Sequence, residues 1–384
     1  MSSNVEVAGP RVLSADSHIV EPPDLFVKSI DPKFRDRAPK VIEDPELGMI
    51  WDVEGIGYPS VELMGGAGKS IEEVELSARF DRARQGGWDA NERLYDMDTT
   101  GVDGAILYPT IGFHSYGIED PQLLEAVLCA WNRWIADFCR VAPERLRGVG
   151  CVILDDVDAA ITEMERCKNL GLATVNIPSK LEGDHFGTAA YDRFWAAAQD
   201  LDLPISSHIG SNRGIHAHTR YREQMRRMVA GPNRDYTSGS MVLPNYDVQE
   251  VLFQLIVSGV FERFPRLRFV CAEFEAGWAA AMLAHLDNGI WEGTHPYVAY
   301  ELPMKPSEYF RRNVGLTFIR DEVAVRCRDL IGLEKLMWSD DYPHIESSWP
   351  DSSRIIEQIM PEATVPAADR ELMLSGNARR FYGW

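Results

Sequence analysis

Eight short apolar runs, each followed by a longer stretch, recur along the 384 residues, and this alternation limits the fold more than any other feature. The runs are Val12–Ile19, Gly104–Pro109, Gly148–Leu154, Ala173–Ile177, Pro204–Ile209, Leu267–Glu273, Val314–Ile319 and Lys335–Asp341. Most are near-continuously apolar, as strands buried on both faces are. Between them, Asp120–Val141, Asp155–Leu170, Tyr191–Leu201, Asp247–Phe261, Ala276–Asn288, Asp351–Ile359 and Ala367–Tyr382 show helical spacing of apolar residues. Repeated strand–helix units predict a single parallel (β/α)8 barrel of the TIM type, spanning 1–384, rather than two or three domains. Pro22–Gln85, Gly210–Asn245 and Gly289–Pro306 break the alternation and read as loop insertions without clear periodicity. Long segments after barrel strands build the mouth where chemistry takes place.

Charge excludes some partners. Asp and Glu number 59 against 39 Lys and Arg, a formal charge of −20. Such a surface repels phosphate backbones and anionic membranes, so neither nucleic acid nor membrane is expected as a partner. No apolar run reaches the ~18 residues of a membrane span, and MSSNVEVAGP lacks the features of a secretion signal. The expectation is a cytoplasmic enzyme. The six Cys form no C-x-x-C pair and sit mostly in apolar runs, which reads as reduced, buried thiols.

The strand ends carry ligand-type residues. The first run ends in Asp16-Ser17-His18, and residues two apart on a strand share a face, so both side chains can enter the mouth. A turn aspartate beside a hydrogen-bonded histidine would look the same. The fifth run ends in His208 and the sixth in Glu273, a carboxylate costly to bury unless paired or metal-bound. The eighth ends in Asp340-Asp341, of which only one can face the barrel, with His344 just beyond. Glu21 follows His18 by three residues.

Several stretches together resemble one family: ADSHIVEPPDLF, NERLYDMDTTGVDGAILYPTIG, LPISSHIG, GVFERFPRLRFVCAEFEAGW, MWSDDYPHIESSWPDS and GNARRFYGW. They are similar to the amidohydrolase superfamily, in the branch containing aminocarboxymuconate semialdehyde decarboxylase and the resorcylate decarboxylases. The resemblance implies metal ligands at Asp16, His18 and His208, and Asp341 beside the metal as ligand or proton acceptor. Those decarboxylases carry a histidine where this chain has Glu273, which would replace that base or bind metal.

The candidate set is Asp16, His18, Glu21, His208, Glu273 and Asp341, rich in oxygen and without thiolate. It favours Mn or Fe over Zn, as one or two divalent ions. One reading is nonoxidative decarboxylation, or C–C or C–N hydrolysis, of a small carboxylated or aromatic substrate, with Asp341, His344 and Glu273 as catalytic groups. A second is a dinuclear Fe or Mn oxygenase, and a third a non-catalytic barrel subunit. The basic stretch Ser211–Arg227 offers Arg213, His216 and His218 as substrate contacts, and His114 after the second barrel strand offers another. A homodimer, or a hetero-oligomer with a related subunit, is the expected assembly.

Overall fold

The structure, a computed structural model, describes residues 12–44, 48–59, 64–75, 79–181, 183–214, 245–294 and 301–384. Its strands in chain order are β1 (Leu13–His18), β2 (Lys40–Asp44), β3 (Gly48–Val53), β4 (Ile56–Pro59), β5 (Gly104–Tyr108), β6 (Leu146–Cys151), β7 (Thr174–Ile177), β8 (Ile205–His208), β9 (Phe269–Ala272), β10 (Val314–Phe318) and β11 (Leu336–Trp338). All strands but β2, β3 and β4 form one eight-stranded parallel sheet, in the order β1-β5-β6-β7-β8-β9-β10-β11. These eight strands fall within the eight apolar runs, apart from a two-residue extension at the start of β6.

The seam between β1 and β11 completes the barrel just past the last strand. Asp341 N–H donates to the Asp16 carbonyl at 3.1 Å, and His18 N–H to the Tyr342 carbonyl at 2.7 Å. Behind the seam, Asp340 Oδ1 accepts from Ser14 Oγ at 2.8 Å, Ser17 Oγ at 2.6 Å and Tyr342 N–H at 3.1 Å. Asp340 is thus committed to the seam, while Asp341 turns its carboxylate toward His18 Nε2.

Helices clothe the barrel: α1 (Ala90–Thr100), α2 (Pro121–Cys139), α3 (Val157–Asn169), α4 (Asp192–Asp200), α5 (Asn245–Val257), α6 (Trp278–Leu286) and α7 (Pro306–Asn313), with Ser352–Ile359 and Asn377–Tyr382 near the end. Asp89, Asp120 and Asp156 cap α1, α2 and α3 by accepting from backbone N–H groups of the first turn. No helix among the described residues is long and apolar enough to cross a membrane.

Two of the three insertions differ from the sequence reading. Residues 22–85 contain an antiparallel meander, β2-β3-β4. Glu54 and Gly55 both take positive φ, 51° and 82°, between the paired Val53 and Ile56. That is a two-residue hairpin turn whose signature is the Glu-Gly pair. Buried Trp51 and Tyr58 supply its inner face. At the ends of 289–306, α6 runs on as a π-helical turn through Trp291, and Pro306 opens α7.

Candidate metal centre and active site

Each ligand-type side chain is held from behind. His18 ends β1 with Nδ1 2.9 Å from the Pro109 carbonyl. His208 ends β8 with Nδ1 2.7 Å from the Ile209 carbonyl, and Phe113 stacks on its ring at 4.4 Å. A carbonyl only accepts, so both Nδ1 atoms carry hydrogen and a neutral ring leaves Nε2 as a bare lone pair. Those two Nε2 atoms lie 3.1 Å apart.

The carboxylates converge on the same point. Glu273 Oε2 is 3.0 Å from His208 Nε2 and 3.2 Å from His18 Nε2. Asp16 Oδ1 stands 3.5 and 3.6 Å from the same two atoms, and Asp341 Oδ1 3.4 Å from His18 Nε2. Asp16 Oδ1, Glu273 Oε2 and both oxygens of Asp341 are buried without a hydrogen-bond partner. Glu273 and Asp341 have φ of 60° and 53°, a region that side chains other than glycine rarely adopt. Such strain is concentrated where function fixes the backbone.

Electrostatics matches the geometry. Burial alone would lower the pKa of His208, yet Asp16 and Glu273 hold it up at about 10. Burial and the neighbouring His344 and His208 rings lower His18 to about 4, against the pull of Glu273. Burial, Glu273, Glu346 and Asp16 raise Asp341 well above the usual carboxylate range. Without a cation the buried carboxylates are balanced only by protons, on His208 and Asp341, and a divalent cation that displaces those protons would satisfy the same buried acceptors.

Among the described residues, two groups place ligand atoms within 4.8 Å of one another: His18, Glu273, Asp341 and His344, and Asp16, His18 and His208. Glu21, read from the sequence as a further ligand, belongs to neither. Its Oε1 accepts from the N–H of Thr110 at 3.0 Å and of Gly112 at 2.9 Å. A Cβ at Gly112 would meet Pro109 Cβ at 2.6 Å, so only glycine lets the loop come this close. Arg213 is not open to a substrate: its Nη2 binds Asp155 at 2.8 Å and its Nη1 the carbonyls of Ile118 and Tyr116 at 2.6 and 3.1 Å. His114 is buried and stacks on Tyr58 of the meander at 4.1 Å, which ties that small sheet to the segment after β5. His216 and His218 lie outside the described residues.

Three supporting residues escaped the sequence reading. Thr317 of β10 donates to Asp16 Oδ2 at 3.1 Å and accepts from Glu273 N–H at 2.9 Å. Thr110 meets His344 Nε2 at 2.9 Å. Arg93 of α1, fully buried, donates to the carbonyls of His18, Gly86 and Tyr342 and lies over the Tyr342 ring. Hydroxyls inside or just past apolar runs and an arginine on a helix give no periodic signal of such roles.

The amidohydrolase family's sequence profile matches residues 47–384. The chain belongs to that family. A similar amidohydrolase-family relative is the gamma-resorcylate decarboxylase of a Rhizobium species, 26% identical over 313 residues, covering 76% of this chain and 86% of that protein. Among solved structures, an amidohydrolase from Mycobacterium avium subsp. paratuberculosis superposes with a TM-score of 0.76 at 19% identity, covering 97% of this chain and 99% of that one. A 5-carboxyvanillate decarboxylase from Novosphingobium aromaticivorans, solved with manganese, superposes with a TM-score of 0.66 at 19% identity, covering 99% and 97%. The eight-stranded barrel is thus the amidohydrolase fold, and the ligand cluster sits at the C-terminal ends of β1, β8 and β9 and just past β11.

Proposed function

We propose that this amidohydrolase-family chain is a metal-dependent decarboxylase of a small aromatic carboxylate, acting without net oxidation. The observation that carries the reading is the buried convergence of Asp16 Oδ1, His18 Nε2, His208 Nε2, Glu273 Oε2 and Asp341 Oδ1. The resorcylate decarboxylase relative supplies the substrate class. One ion fits better than two. Metal–nitrogen bonds of about 2.1 Å at right angles put two nitrogens about 3 Å apart, which is the spacing of His18 and His208 Nε2, and both donor groups share His18. Three carboxylates and two imidazoles favour manganese or iron.

A divalent cation there would supply Lewis-acid polarisation of substrate oxygens. The chain's own residues do the rest. Glu273, at the strand end where the related decarboxylases carry histidine, completes the ligand set in place of an acid–base imidazole. Asp341 and His344, 3.2 Å apart, hold the proton that the ring carbon takes. The bond from ring carbon to carboxyl carbon breaks, its electron pair stays on the ring carbon, that carbon is protonated, and carbon dioxide leaves.

Metal analysis with turnover of hydroxybenzoates tests the reading. About one manganese per chain, with carbon dioxide release and no oxygen uptake, is the expected result. About two irons per chain with oxygen consumption would replace it with the oxygenase reading.

A further inference from the structure

His344 has two neighbours of opposite character. Its Nδ1 faces Asp341 Oδ1 at 3.2 Å, and its Nε2 meets Thr110 Oγ1 at 2.9 Å. The Thr110 hydroxyl has one hydrogen, and it points to the Ile19 carbonyl at 2.7 Å. A carbonyl cannot return a hydrogen, so toward His344 the hydroxyl oxygen offers only a lone pair. That contact is a hydrogen bond only when Nε2 carries the hydrogen. In the neutral ring, Nδ1 is then the bare nitrogen, aimed at Asp341.

Thr110 is itself fixed. It is buried, its backbone N–H donates to Glu21 Oε1 at 3.0 Å, and the Gly112 N–H holds the same oxygen. The His344 ring stacks on His18 at 4.0 Å with planes 28° apart, so it is confined both in its plane and across it. A chain of contacts therefore runs from Glu21 through the Thr110 backbone and hydroxyl to His344 and on to Asp341.

We propose that Thr110 is a positioning residue whose hydroxyl holds His344 in the Nε2–H tautomer, so that Nδ1 is the atom that passes a proton at Asp341. The hydroxyl does not relay the proton further, because the Ile19 carbonyl ends the chain. This rests on the decarboxylase reading only for the destination of the proton; the tautomer assignment stands apart from it.

The test compares wild type, Thr110→Val and Thr110→Ser. In zinc-loaded protein with ¹⁵N-labelled histidine, the ring nitrogens of His344, assigned through a His344→Gln control, should report Nε2–H in wild type and Thr110→Ser. Thr110→Val should give a mixture or the Nδ1–H form. Turnover of the decarboxylase substrate should fall about 10- to 100-fold in kcat for Thr110→Val, as when a partner that orients a functional histidine is lost, with KM and metal content unchanged and Thr110→Ser restoring most of the rate. An Nδ1–H tautomer in wild type, or a Thr110→Val ring indistinguishable from wild type, overturns the inference whatever the activity. Absence of decarboxylation in wild type, with the Nε2–H tautomer present and lost in Thr110→Val, overturns the reaction and leaves the positioning role standing.

Discussion

Asp341 donates its backbone N–H to the carbonyl of Asp16 at 3.1 Å, and the two residues send buried, unpartnered Oδ1 atoms to the same cluster. The end of the last barrel strand is thereby tied to the first both by backbone and by shared need of a cation. Metal should therefore stabilise the seam as well as the chemistry. With manganese at 100 times its Kd, linkage contributes about 2.7 kcal/mol, a rise of a few degrees in Tm for a domain of this size. Calorimetry of metal-free protein with and without manganese measures it. Asp341→Asn and His208→Ala should lose most of the rise, and a full rise in both variants would place the cation elsewhere.

Neighbours Asp340 and Asp341 should behave as opposites. Asp341→Asn removes a buried carboxylate that burial, Glu273, Glu346 and Asp16 all disfavour, so metal-free stability should hold or rise. Its turnover should fall at least about 10²-fold, the low end of what a lost proton-transfer group costs. Asp340→Ala leaves the Tyr342 N–H without its acceptor, while the Ser14 and Ser17 hydroxyls keep the Asp16 carbonyl and Ser14 Oγ as acceptors. At about 1–3 kcal/mol for a buried group left unpaired, a loss of about 2 kcal/mol is expected. Urea unfolding of both variants decides, and equal stabilities would contradict the division of roles.

The barrel was legible because parallel strands buried on both faces write themselves as apolar runs. Asp16, His18, His208, Glu273 and Asp341 were legible because each ends such a run, where an ionisable side chain is conspicuous. Glu21 is readable near the mouth for the same reason, but the hold of the Thr110 and Gly112 amides on its Oε1 depends on how the loop after β5 folds back. Thr110, Thr317 and Arg93 act through contacts distant in sequence, and Arg93 to Tyr342 spans 249 positions. The meander was missed because its strands are short and only partly buried, with the Glu-Gly turn as the sole local cue.

Arg93 should connect stability to metal affinity. Its guanidinium binds three carbonyls, two of them on the seam residues His18 and Tyr342, while nearby Asp96 is taken by Arg84 at 2.8 Å and by the Tyr342 hydroxyl. Arg93→Met removes the side-chain donor from the His18 and Gly86 carbonyls, while the Tyr342 carbonyl keeps the His18 N–H, a loss of about 2 kcal/mol. By freeing the backbone of His18 it should also weaken manganese binding about 10- to 100-fold, as removal of supporting partners does. Arg93→Lys keeps the charge but not the fork, so it should recover only part of either loss. Titration of manganese into the folded fraction of each variant is the measurement; wild-type affinity in Arg93→Met would show that the seam holds His18 without it.

Glu21 predicts a specific pH dependence of stability. Burial raises its pKa from 4.5 to about 7, against the pull of the Gly112 and Thr110 amides. Between those values the folded chain holds a proton that the unfolded chain has released. The contribution to stability is therefore full below about pH 4.5, declines as pH rises, and is gone above about 7. The shift corresponds to about 3 kcal/mol. Other groups titrate in the same range, so the informative quantity is the difference between wild type and Glu21→Gln, whose amide oxygen can still accept from Thr110 and Gly112. Urea unfolding of the metal-free proteins from pH 5 to 8 should show wild type losing stability relative to the variant by most of that amount. Parallel curves across the range would mean that Glu21 is ionised in the folded protein and that the two backbone amides outweigh its burial.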